Sequence, residues 1–128
     1  MSTVEKTASE KEHDDVVAFI CKNNEDKFKV LNNLGIEKNH VSGLYPDIII
    51  KNKIDDDIYR FIIEVKKNGG IASCLQQWKN TTNIPCVLYI IVPETDLPNA
   101  IKIAGTIGIQ VKFGSYKIEQ SVISVKYE

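Results

Sequence analysis

The segment YPDIIIKNKIDDDIYRFIIEVKKNGG, Tyr45–Gly70, constrains the fold more than any other part of the chain. Two runs rich in β-branched and aromatic residues flank the cluster IDDD, and Asp and Asn favour turn conformations. The economical assignment is an antiparallel hairpin with a four-residue connection at 54–57. Counting outward sets Lys53 opposite Ile58, Lys51 opposite Arg60, Ile49 opposite Ile62 and Asp47 opposite Glu64. Strand alternation then puts Asp47, Glu64 and Lys66 on one face, a charged edge beyond the Ile49–Ile62 pair. Ile48, Ile50, Tyr59, Phe61, Ile63 and Val65 take the other, core face.

Directly opposed residues of an antiparallel pair stand about 4.5–5.5 Å apart at Cβ, and like charges there are destabilising. Asp47 opposite Glu64 therefore requires a positive partner. Lys66 supplies part of it and a divalent cation supplies more, so this hairpin end has the character of a hard-metal site. The assignment depends on register, because a slip of one residue moves Glu64 off the face that carries Asp47.

The remainder of the chain sets bounds on this reading. With 128 residues it holds one core, read as a single domain over 9–128 after a flexible N-terminal tail at 1–8. A 43% hydrophobic and 26% charged composition is that of a globular protein. The formal net charge of −1 gives no global attraction toward nucleic acid, so phosphate binding must be local. No apolar window is long enough to span a bilayer and the N-terminus lacks the apolar core of a signal peptide, from which a cytoplasmic location without membrane contact is expected. The three cysteines, Cys21, Cys74 and Cys86, form no CxxC pair and read as reduced, mostly buried thiols. His13 and His40 have no nearby Cys or His and read as surface or capping residues.

A helix capped by Ser9 or Thr7 is expected to carry the stripe Glu12, Val16, Phe19, Ile20, Asn23, Lys27, Val30, Leu31 and Leu34, with KNNED as a point of breaking or loosening near Asn23 and Asn24 and Gly35 as its stop. The hairpin follows. NGG then reads as a turn and IASCLQQWKN as a short helix with Ile71, Leu75 and Trp78 on one face, Trp78 being core. CVLYIIV at 86–92 reads as a strand covered on both sides, and LPNAIKIAGTIG as a helix closed by Gly105 or Gly108. The last twenty residues read as two strands turning at Gly114-Ser115. The order is α-β-β-α-β-α-β-β, a central mixed β-sheet flanked by helices in the α/β class.

Pro46-Asp47 followed by Glu64-Val65-Lys66, with a helix before the hairpin and a helix bearing Gln after it, resembles the PD-(D/E)xK nuclease superfamily over roughly residues 9–110. The resemblance implies a restriction-endonuclease-like fold and a metal-dependent nuclease that hydrolyses phosphodiester bonds. It implies that Asp47, Glu64 and the Val65 carbonyl hold Mg²⁺, with Mn²⁺ able to substitute, and that Lys66 orients or activates the attacking water. Glu12 is carried over as a metal-associated acid, its alternative being a first-turn carboxylate favoured by the helix dipole. Gln77 is carried over as the helix glutamine, with Gln76 or a solvent-facing amide as alternatives.

Lys51, Lys53 and Arg60 on the hairpin, with Lys67 after it, are candidates for a strip that contacts nucleic acid, against the reading of a solvated strand face. DNA is the expected substrate, RNA less so for want of an RNA-binding aromatic motif, and a homodimer is the expected state. With no appended recognition domain expected, substrate structure or a partner would set specificity, junction-selective cleavage included. The alternative from another class is a catalytically inactive nuclease-like subunit that binds nucleic acid or serves in an assembly, its charged residues held in salt bridges.

Overall fold

The computed structural model describes residues 7–128 and is built on one mixed sheet of six strands. In chain order the elements are α1 (Ala8–Asn24), β1 (Phe28–Asn32), β2 (Ile48–Asn52), β3 (Tyr59–Val65), α2 (Asn68–Lys79), β4 (Val87–Pro93), a 3₁₀ turn at Glu94–Asp96, α3 (Leu97–Ile107), β5 (Lys112–Glu119) and β6 (Val122–Tyr127). The strands lie side by side in sequence order. β1, β2 and β3 are antiparallel, β3, β4 and β5 are parallel, and β6 returns antiparallel to β5. α1 covers one face of the sheet, where Val16, Val17 and Ile20 pack on Ile48, Ile50, Ile63, Val65 and Ile91. α2 and α3 cover the other, with Trp78 against Ile49, Ile62 and Leu88, and Ile71, Leu75, Ala100 and Ala104 against Ile90 and Val92. No helix among the described residues is long and apolar enough to cross a membrane.

The α/β architecture with a mixed sheet between helices is as expected, but it holds one strand more. Of the tail expected at 1–8, residues 1–6 lie outside the described residues, while Thr7 caps α1 by accepting the Glu10 N–H at 3.1 Å. α1 ends at Asn24, whose side-chain amide donates to the Ile20 carbonyl at 2.8 Å. Lys53 closes the same end, its Nζ donating to the carbonyls of Glu25 at 3.3 Å and Asp26 at 2.9 Å. Beyond this stop the chain does not continue as helix toward Gly35. Phe28–Asn32 pairs with β2, Val30 opposite Ile50, and sends Val30 to the α1 side and Leu31 to the α2 side. A short run half-buried on both faces cannot be told from helix by apolar spacing alone.

The hairpin register holds where it matters for the carboxylates and fails toward the tip. Ile49 lies opposite Ile62 and Ile48 opposite Ile63, which carries Asp47 to the level of Glu64. A bulge between Ile50 and Lys51 absorbs one residue of β3, so Lys51 faces Tyr59 rather than Arg60. The connection is also longer than 54–57: Asn52 Oδ1 gathers the N–H groups of Ile54 at 2.9 Å and Asp55 at 3.0 Å before β3 begins. The bulge turns Tyr59 toward α2, on the face opposite Phe61. The Ile49–Ile62 pair short of the charged edge is buried under α2.

Two further turns differ from expectation for local reasons. Asn68-Gly69-Gly70 is the first turn of α2, because Asp96 Oδ2 accepts the Asn68 N–H at 3.1 Å and so serves the exposed helix end. The β5–β6 turn falls at Gln120 and Ser121, with φ of 50° and 64°, the left-handed pair that matches strand twist in a two-residue hairpin. Gly114 instead lies within β5, at a close approach: a Cβ there would stand 2.5 Å from Ile91 Cδ1 and 2.9 Å from the Lys126 carbonyl oxygen. Gly108 is the glycine that closes α3, at φ +80°. Gly114→Ala is therefore expected to cost about 1–3 kcal/mol through overpacking. A urea midpoint equal to wild type would contradict the close packing of β4, β5 and β6.

Candidate active site

The β2–β3 ladder changes character at Asp47. Pro46 would pair next, opposite Val65, but proline has no N–H to donate, and its carbonyl is taken by Asn33 Nδ2 at 2.6 Å. Side chains replace the lost main-chain bonds. The Asp47 N–H donates to Glu64 Oε1 at 2.9 Å, and the Val65 N–H donates to Asp47 Oδ2 at 2.7 Å. Each carboxylate thus binds the backbone of the other strand. The repulsion expected of two facing acids is met first by these two donors.

Glu64 is only 7% exposed, unusual for a carboxylate. Its second oxygen is held from α2, by the Trp78 indole N–H at 3.0 Å and by the Cys74 S–H at 3.3 Å, both to Oε2. Burial and then the nearby Asp47 push the Glu64 carboxyl above its usual range, against the pull of Lys66 and the Trp78 N–H. Burial acts against the charge on Lys66, yet Glu64 and Asp47 outweigh it and hold its ammonium above the ordinary lysine value. Cys74 is raised by burial and then by Glu64, so it stays a thiol and a donor. Cys21, Cys74 and Cys86 are all free.

His13, a surface or capping residue by its sequence context, belongs to the site. It projects from the second turn of α1 with one carboxylate on each ring nitrogen: Asp47 Oδ1 lies 3.1 Å from Nε2 and Asp14 Oδ1 lies 3.0 Å from Nδ1. Its partner 34 positions later in the chain left no local pattern to detect. The hydrogen bond to Asp47 is the main reason that its pKa is raised above 6.5. Asn33, which holds Pro46 and also collects the N–H groups of Lys38 at 3.0 Å and Asn39 at 2.7 Å, was likewise missed.

The other sequence candidates divide. Glu12 faces inward but toward a different pair: its Oε2 accepts the Tyr116 hydroxyl at 3.0 Å and meets Lys67 Nζ at 2.6 Å, and the Lys67 hydrogen bond lowers its pKa. Gln77 is exposed, and Gln76 donates to Asn80 Oδ1 at 3.1 Å on the solvent side of α2. The α2 side chains that reach Glu64 are Cys74 and Trp78, because the buried stripe of the helix, not its amide-bearing side, faces β3. Lys51 sits 4.7 Å over the Tyr59 ring, Lys53 caps the end of α1, Arg60 is exposed and Lys67 is paired at the opposite end of β3. These cations do not line up as one strip.

A cavity of about 300 Å³ opens between the first turns of α1 and the end of β3, lined by His13, Val65, Lys66, Lys67 and Tyr116 among others, though by neither Asp47 nor Glu64. Comparison of the chain with protein-family models, with curated proteins and with solved structures finds no match. The oxygen chemistry suits a cation such as Mg²⁺, which commonly takes one or two protein carboxylates and completes its shell with water and substrate phosphate. A carboxylate offers about four lone-pair sites; Asp47 uses two and Glu64 three, so each retains capacity. Pro46, the residue that would stand opposite Val65 were the ladder continued, has no N–H to offer the Val65 carbonyl. No group of three or more His, Cys, Asp or Glu among the described residues is arranged to hold a metal by itself, so any such ion would need water or phosphate ligands.

The raised pKa of His13 has a definite consequence for stability. Its folded value exceeds the unfolded value near 6.5, so the His13–Asp47 pair contributes fully below that pH and the contribution is lost as pH rises through the folded value. His13→Gln is expected to lower the melting temperature more at pH 5.5 than at pH 9. An equal loss at both would show that the imidazole is not charged in the folded protein.

Proposed function

We propose that this chain is a metal-dependent nuclease of the restriction-endonuclease-like type, hydrolysing phosphodiester bonds in DNA. The observation that carries the reading is the crossed binding of Asp47 and Glu64 at one end of β2 and β3, with the Lys66 ammonium held in the field of both. Asp47, Glu64 and the Val65 carbonyl would hold Mg²⁺, with Mn²⁺ as substitute. Bound there, the ion would polarise a phosphate oxygen and acidify a coordinated water. Lys66 would place its ammonium against the phosphate and offset the charge that develops during hydrolysis. His13 orients Asp47 through Oδ1. Glu12 fits a supporting role, fixing Lys67 and Tyr116 at the far wall of the cavity.

A homodimer would give two such sites for two strands, and one small domain has little surface to hold a duplex alone. The second reading, an inactive nuclease-like subunit that binds nucleic acid or serves in an assembly, draws support from the burial of Glu64 under three donors, an arrangement stable without any ion. Cation dependence separates the two.

Labelled linear duplex, single-stranded and four-way-junction DNA incubated with the protein in Mg²⁺ or Mn²⁺ tests the proposal. Cleavage is expected to disappear in EDTA and to fall at least about 100-fold in Asp47→Ala, Glu64→Ala or Lys66→Ala. No cleavage of any substrate, together with no rise in melting temperature on adding cation, would favour the binding or assembly role.

A further inference from the structure

Trp78 is the sole tryptophan of the chain and is 1% exposed, wedged among Ile49, Ile62 and Leu88. A buried indole needs an acceptor for its N–H, and here the acceptor is the carboxylate of Glu64 rather than a backbone carbonyl. Cys74, one turn earlier on the same face of α2, donates to the same oxygen. Oε1 is held from the opposite side by the Asp47 N–H. The carboxylate is thus gripped at both oxygens by two separate elements, α2 and the start of β2.

We propose that Trp78 is a positioning residue of the active site, which fixes Glu64 so that it meets an incoming divalent cation through a single oxygen, Oε1, on the side of Asp47. This rests on the nuclease reading and adds to it the part played by α2. With Oε2 carrying two donors and Oε1 one, the lone-pair site that remains lies on Oε1. Glu64 is therefore set up for one-oxygen ligation in a fixed direction. The rigid packing of Trp78 transmits the position of α2 to that oxygen, as partners behind a metal ligand commonly do. The N–H also favours the ionised carboxylate, which burial alone would discourage.

Trp78→Phe keeps an aromatic ring in the cluster and removes the donor. In Mn²⁺ titrations of DNA cleavage it is expected to raise the cation concentration for half-maximal rate by about 10–100-fold, while the folded circular dichroism spectrum is retained. The second measurement uses the wild-type fold: the single indole N–H resonance, labelled with ¹⁵N, is expected to shift in Glu64→Gln and to shift in wild type on adding Mg²⁺.

If wild type cleaves but Trp78→Phe keeps the wild-type cation midpoint, the positioning role is overturned and the nuclease reading stands. The same holds if the wild-type indole resonance ignores saturating Mg²⁺, which decides the matter even where Trp78→Phe fails to fold. If wild type neither cleaves nor responds to cation by its indole resonance, both are overturned.

Discussion

The crossed pair of hydrogen bonds in which Glu64 accepts the Asp47 N–H and Asp47 accepts the Val65 N–H is the constraint on which the rest of this structure turns. Where β2 and β3 would otherwise run out of ladder at Pro46, the Asp47 N–H binds Glu64 and the Val65 N–H binds Asp47. Two acids that would repel across a bare strand pair become the closing bonds of the sheet at that end. Charge-assisted bonds of this kind are stronger than neutral ones, and both donors are backbone groups that would be costly to leave unpaired in a buried strand.

Three elements converge on that pair. α1 sends His13 to Asp47, α2 sends Trp78 and Cys74 to Glu64, and the loop before β2 is held through Asn33 to the Pro46 carbonyl. The parallel arrangement of β3 and β4, with the Lys66 N–H bonded to the Ile91 carbonyl at 2.9 Å, fixes where Lys66 leaves the sheet. A buried carboxylate can remain in such a place only if its donors are supplied, and every buried side-chain nitrogen and oxygen among the described residues has a partner. The same network that allows Glu64 to be buried also aims it.

The hairpin and its carboxylates were legible because they rest on local information: turn-forming aspartates, β-branched runs and a count of two per pleat. The count stayed right from Ile49–Ile62 toward Asp47 and went wrong toward Tyr59, since a bulge leaves no signature in alternation. β1 was hidden because its apolar residues serve both faces, which at five residues resembles helical spacing. The turn at Gln120-Ser121 was hidden because neither residue is a usual choice for positive φ, while Gly114 drew the turn toward itself although its lack of a side chain serves packing. The glutamines of α2 matched a motif, but the helix is oriented by its apolar stripe.

The sequence by itself determined an α/β chain with a charged hairpin end at Asp47, Glu64 and Lys66, because strand alternation and turn chemistry act over a few neighbouring residues. Only the tertiary structure decided which side chains answer those charges. His13, Trp78 and Cys74 are brought to the pair by the packing of two helices on opposite faces of the sheet. Contacts set by how whole elements dock, across 34 residues in one case and 14 and 10 in the others, have no period or spacing by which a sequence could display them.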